Sequence, residues 1–320
     1  MSTLKHNSKI LLATLLTATF ILSGCDSLDD DNNNPEVATF SLGISDAPVD
    51  DISQLNICFS AIELKPTGEG EVIIFMVGDD VEAINANSIC PDSANTAGIN
   101  LLDFVGDDAE LFINNAEIAL GSYKLRIIMS EGSFAYPLEG PQTEETKIPV
   151  DVPSNELKLV NTLTFAQGGQ AAYTLEFDLQ KSMVNAPGQE GYKLKPTGVR
   201  LVNNTEVGTL TGTVAEVYLS DASCAIGQSD GTTAGSVYLY EEGITEFGDI
   251  GSQSEPYATG KVISNGAGTY SYEIGFILAG NYTVGVTCSE DDSDMVDEGF
   301  TIISTQTTII TAETSMELNF

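Results

Sequence analysis

The chain has 320 residues, with 47 acidic and 12 basic side chains, a formal net charge of −35, one histidine and no tryptophan. Nucleic acid needs cationic contacts that so acidic a surface does not offer, so nucleic-acid binding is excluded. Hydrophobic residues make up 42% of the chain, enough for packed cores, which separates it from disordered acidic tails.

The N-terminus carries Lys5 and Lys9, followed by an uncharged apolar run from Ile10 to Leu22. That run is too short to span a bilayer and reads as an export signal. It ends in Leu22-Ser23-Gly24-Cys25, which resembles the bacterial lipoprotein box. The resemblance implies that residues 1–24 are removed as a signal peptide and that Cys25 is lipidated, so that the protein is held at the membrane through its N-terminal lipid. Asp26 resembles a retention signal for the periplasmic face of the inner membrane, with the outer membrane as the alternative. Residues 25–36, with the run DSLDDDNNNPE, have no apolar period and predict an acidic, flexible tether reaching roughly 35–40 Å.

From residue 37 the pattern is that of an all-β protein. Leu55 to Leu64 and Val72 to Val77 are continuously apolar and predict central strands. Asp107 to Asn115 predicts one short helix. Ser122 to Met129 alternates, with Tyr123, Leu125, Ile127 and Met129 inward and Lys124 and Arg126 outward. Thr174 to Gln180 does the same, with Leu175, Phe177 and Leu179 inward and Thr174, Glu176, Asp178 and Gln180 on a wet face. Turns are expected at Pro66-Thr67-Gly68, Gly168-Gly169 and Pro187-Gly188. A second β unit opens near Gly208. In it Tyr270, Tyr272, Ile274 and Phe276 share one face, and so do Tyr282, Val284, Val286 and Cys288. Met316, Leu318 and Phe320 alternate in a last strand. Each unit repeats one device, Gly121-Ser122-Tyr123 and Gly280-Asn281-Tyr282, in which the tyrosine ring is buried and its hydroxyl reaches backbone. The domains expected are 37–206 and 207–320, two tandem β-sandwiches.

With Cys25 taken by lipid, Cys58, Cys90, Cys224 and Cys288 remain, and an exported setting favours two disulfides. Three pairings are open; segregation into two units favours Cys58 with Cys90 and Cys224 with Cys288.

Five stretches of the first unit resemble an uncharacterised bacterial lipoprotein family, domain of unknown function forty-three eighty-two. They are FSLGISDAPVDD (Phe40 to Asp51), Leu101-Leu102-Asp103, LGSYKLRI (Leu120 to Ile127), VPSNELKL (Val152 to Leu159) and Leu175 to Val202. The resemblance implies a transthyretin (prealbumin)-like sandwich and brings no activity with it. The second unit resembles transthyretin-like modules of the carboxypeptidase-regulatory and collagen-adhesin type, through LTGTV at Leu210, AGSVYLYE at Ala234 and the run from Tyr270 to Val284. Some of those modules carry isopeptide bonds, for which Lys261 is the unit's only lysine.

The single histidine, His6, lies in the signal segment, which removes imidazole catalysis and histidine-bound zinc from the rest. Lys181-Ser182 are adjacent and on a strand would point to opposite faces. Calcium is the one candidate cofactor, at Asp46, Asp50 and Asp51 and at the acidic run with Asp291, Asp292 and Asp294; neither loop has an EF-hand pattern. Lys181, Lys193, Lys195 and Arg200 concentrate cations within twenty residues, either to pair with acidic strands or to hold an anionic group. The function expected is a non-enzymatic, lipid-anchored envelope protein that binds or supports an envelope protein or polysaccharide. The alternatives are a calcium-stabilised adhesin-like protein and a carboxylate-dependent hydrolase of envelope polysaccharide.

Overall fold

A computed structural model describes residues 37–47, 52–78, 84–184, 191–220, 224, 233–289, 291 and 299–320. Glu36–Phe320 form one compact unit. The strands in chain order are β1 (Val37–Ala47), β2 (Ile52–Pro66), β3 (Ile73–Met76), β4 (Ala97–Asn100), β5 (Glu110–Ala119), β6 (Gly121–Met129), β7 (Phe134–Pro137), β8 (Ile148–Asp151), β9 (Glu156–Phe165) and β10 (Gln170–Asp178). After a four-residue helix, α1 (Leu179–Ser182), come β11 (Met183–Val184), β12 (Tyr192–Leu194), β13 (Val199–Asn203), β14 (Val207–Thr213), β15 (Thr233–Glu241), β16 (Ala258–Ser264), β17 (Tyr270–Leu278), β18 (Gly280–Thr287), β19 (Ser304–Ile310) and β20 (Ser315–Glu317). The chain is all-β. Among the described residues no helix is long and apolar enough to cross a membrane.

The strands up to β13 form a sandwich. One layer is a four-stranded sheet in the order β13-β10-β1-β5, in which β1 and β10 run parallel. The other is a nine-stranded sheet built on the fifteen-residue β2, which pairs with β3, β4, β6 and β7. Phe40, Leu42, Ile44, Leu175 and Phe177 from the first layer meet Ile57, Phe59, Ile62, Leu125, Ile127 and Leu157 from the second. Each such side chain stabilises the fold by about 1.5–3 kcal/mol on burial. Phe40 of β1 touches Phe165 of β9 edge to face at 5.4 Å, joining the two layers.

From β14 onward a single seven-stranded sheet, ordered β19-β18-β15-β16-β17-β14-β20, closes around a core of its own. Leu210, Val237, Val262, Ile274, Val284 and Ile310, one from each of six strands, share that core. Tyr282, Val284, Val286 and Cys288 point into it together, and Phe320, three residues beyond β20, completes it. The two modules are joined by three residues, 204–206. Asn204 and Ala279 donate backbone N–H groups to Ala172 and Glu206 respectively, and Val202, Val207 and Phe276 bury one another beside the link.

The strand-opening device forms in both modules. Tyr123 Oη donates to the carbonyl of Ala119 at 3.0 Å and Tyr282 Oη to that of Leu278 at 2.9 Å, each four residues back. A Cβ on Gly121 or Gly280 would reach ordinary van der Waals contact with the ring of the tyrosine two residues on, and Gly121 has a φ of 148°, which favours glycine.

Four expectations are corrected. Residues 107–115 hold no helix: from Glu110 the chain is β5, and a bulge with Asn115 at φ 52° sets Ile113 and Ala116 three residues apart on one face, which imitates a helical period. Val72 to Val77 is no central strand. β3 pairs with β2 alone and leaves Val72, Ile74 and Met76 exposed. Phe276 leaves the face of Tyr270, Tyr272 and Ile274, because its φ of 51° and a register shift against β14 turn it to the link. Finally, the supposed wet face of β10 is buried: Thr174, Glu176 and Asp178 are 1–2% exposed, and Gln180 lies in α1 rather than in the strand. The Pro187-Gly188 turn lies outside the described residues.

Candidate functional site

Both disulfides form as expected, Cys58–Cys90 and Cys224–Cys288, each inside one module. Cys25 and the tether lie outside the described residues, as do Asp50, Asp51, Asp292 and Asp294. Asp46 is a buried residue near the end of β1, and its backbone N–H donates to Phe104 O at 2.8 Å. Asp291 belongs to the other module. Its carboxylate accepts the phenol of Tyr238 at 2.8 Å and the backbone N–H of Ile250 at 3.0 Å, closing over the buried Tyr238 and Tyr240. Burial, and then the Asp291 charge, push the Tyr238 phenol well above its ordinary range. Among the described residues no group of three metal-ligating side chains is placed to hold an ion.

The structure brings together a site on the face of β10 that covers the second module; Arg200 pairs with an acidic strand, as one reading of the cationic cluster expects, but the burial of that face was not anticipated. Arg200 on β13 lies in register with Glu176 on β10, and its Nε and Nη2 donate to Glu176 Oε2 at 2.9 and 2.7 Å. The same guanidinium lies 4.5 Å over the ring of Tyr257 from the second module. Two residues along β10, Asp178 accepts Thr259 Oγ1 from β16 at 3.1 Å and also the backbone N–H of Lys181, capping α1. Lys181 crosses to the second module as well, donating to Pro256 O at 2.8 Å and pairing with Glu255 at 3.3 Å. Burial holds the carboxyls of Glu176 and Asp178 above their usual range, against the pull of Arg200 and Lys181.

Backbone meets backbone at a second point of the same joint. A Cβ on Gly275 of β17 would fall 1.8 Å from Gly106 O, and one on Gly106, where φ is 71°, would strike the Glu273 carboxylate. Glu273 accepts the N–H of Asp107 at 3.1 Å across this contact. Burial first, with the Asp107 charge adding, raises the Glu273 carboxyl above its ordinary range.

Two clefts open at the joint. The larger, about 440 Å³, runs from Val105 and Gly106 over Lys261, Glu273 and Glu317. The smaller, about 330 Å³, lies between Lys181 and Lys195 on one side and Gly251, Ser252 and Glu255 on the other. The cationic cluster is thereby divided. Arg200 is sealed in the joint, Lys181 and Lys195 line a cleft, and Lys193 lies on β12 in register with Asp151. Lys181 and Ser182 do not assemble a nucleophile, since Ser182 Oγ donates to Asp178 O at 2.8 Å while the lysine reaches the other module.

In three dimensions the chain is similar to the Bacillus anthracis TIE protein, at 10% identity over 89% of this chain and 33% of that one, with a TM-score of 0.19. It is similar to a leucine-rich repeat protein from Bacteroides thetaiotaomicron, at 14% identity over 89% and 26% of the two chains, TM-score 0.22. It is also similar to the minor pilin of Streptococcus agalactiae, at 10% identity over 88% and 94%, TM-score 0.18. The chain thus spans about a third and about a quarter of the length of the first two. None of the curated proteins compared with it matches in sequence. The fold class rests on the strands, sheets and cores of the chain itself. Residues 37–196, half of the chain, match the family described as Domain of unknown function (DUF4382), and the chain belongs to that family.

Proposed function

We propose that the protein is a lipid-anchored, non-enzymatic component of the cell envelope, tethered through Cys25, which presents two β modules in one fixed mutual orientation to an envelope protein or polysaccharide. The observation that supports this reading is the joint. Relative domain motion is the default where an interface is small and polar. Here a three-residue link, the Arg200 guanidinium over Tyr257, the bonds that Asp178 and Lys181 make to Thr259 and Pro256, and backbone contact at Gly106 and Gly275 oppose it. A buried polar group left without its partner costs free energy, so an arrangement that separates Asp178 from Thr259 is penalised. These directional contacts select an orientation more than they strengthen adhesion.

The test is small-angle scattering of the wild type against Gly275→Val. The wild type should scatter as one fixed particle. The variant should have a larger radius of gyration and an unchanged far-ultraviolet spectrum, because the new side chain strikes Gly106 and touches neither core. Equal radii would contradict the reading. For the anchor, Cys25→Ser should move the protein from the membrane fraction to the soluble one, and a variant that stays with the membrane would contradict lipidation at this residue.

A further inference from the structure

The smaller cleft at the joint has a chemistry that the orienting role does not use. It brings two lysines, Lys181 and Lys195, to line one cleft of a chain whose net charge is −35. A local positive site in a negative field attracts small anions from solution. The cleft also already holds an anion of its own. The carboxylate of Glu255 has one oxygen 3.3 Å from Lys181 Nζ, and the other accepts the backbone N–H of Gly251 at 3.1 Å. An ammonium on one side and a backbone N–H on the other is the donor set that a carboxylate or phosphate group requires.

The Lys181 side of this set is fixed before any ligand arrives. The ammonium also donates to Pro256 O at 2.8 Å, and the residue's backbone N–H is capped by Asp178. Its side chain is only 12% exposed, so little rotamer freedom is lost on binding. Glu255 is different. Its side chain is 42% exposed, and it stands in the connection between β15 and β16, where it can swing out to solvent. Thr197, in the turn before β13, adds a hydroxyl to the wall. The volume of about 330 Å³ is at the small end of ligand sites and suits a single oxyanion group with a short body.

We propose that this cleft is a binding site for an oxyanion, a carboxylate or phosphate group, which takes the place that Glu255 fills. The group comes either from a small free ion or from an acidic residue of an envelope polymer. Because Lys181 is tied to both modules, an occupied cleft would brace the joint from its rim.

The experiment is a titration of the full chain at constant ionic strength with inorganic phosphate and, in a second arm, with a trigalacturonate, read from the amide signal of Gly251 and by calorimetry. Saturable binding of phosphate is expected, and it should tighten several-fold in Glu255→Gln, which removes the internal competitor. Tighter binding of the trigalacturonate than of phosphate would assign the polymer as source, and the reverse would assign the free ion. Lys195→Gln should weaken binding, as should Lys181→Gln. No saturable response in the wild type and in Glu255→Gln, or a response that Lys195→Gln leaves unchanged, would overturn the proposal.

Discussion

Glu176 and Arg200 occupy positions where neither would be stable alone. A lone buried carboxylate or guanidinium costs several kcal/mol, whereas the hydrogen-bonded pair is close to neutral against an apolar substitute. Arg200→Leu should therefore destabilise the protein by about 3–5 kcal/mol, and Glu176→Met added to it should restore most of that loss. Urea unfolding of the single and double variants checks this, and equal destabilisation by both would contradict it. The same site sets a pH dependence. Burial raises the Glu176 and Asp178 carboxyls, so the folded, docked state keeps their protons to higher pH than the unfolded chain does. Their contribution is fully present below the ordinary carboxylate range and is lost as pH rises through the raised values. Thermal melts at low ionic strength should show the wild type gaining stability on mild acidification, and Glu176→Gln should gain less. Parallel slopes would rule this out. The sequence could not announce the site, because alternating Thr174, Glu176 and Asp178 reads the same whether the polar face meets water or a second module. The one hint was the cluster of Lys181, Lys193, Lys195 and Arg200, for which pairing with acidic strands is one of the two readings.

Strands were most legible where nothing interrupted their period. β6 and β18 follow the alternation read from Tyr123 to Met129 and from Tyr282 to Cys288, because in each a single core takes every second side chain. β5 and β17 were misread at their bulges, at Asn115 and Phe276. A bulge inserts one residue into the count and leaves composition untouched, so no periodicity analysis can see it. The acidic run at Asp291 reads in the sequence as a candidate calcium site. The structure gives its described member to Tyr238 and Ile250, partners brought near by β15 and the connection after it, far away in sequence. The repeated glycine-and-tyrosine device was legible because it is local, spanning five residues from carbonyl to hydroxyl. Tyr282→Phe keeps the ring and removes one hydrogen bond, so it should cost about 0.5–1.5 kcal/mol, and Tyr123→Phe a similar amount. Chemical denaturation of both variants tests the equivalence, and a loss confined to one module would show the device to be only superficially shared.

At the scale of the molecule, the four cysteines were readable as two pairs because each pair falls within one stretch of chain with its own core. What holds the stretches to each other was not readable, since it depends on glycines whose lack of a side chain matters only when another backbone comes within van der Waals reach. Gly106 and Gly275 are 169 positions apart and carry no signature that marks them as neighbours. Each sulfur cross-link closes a loop inside one module, so residues 204–206 are the single covalent strand passing from one to the other. A pull applied between Val37 and Phe320 would run through that strand, and the joint, held by a few hydrogen bonds and the Arg200–Tyr257 contact, would shear before the two packed cores. The chain would lengthen under load at one defined place and could re-seat itself when the load was removed.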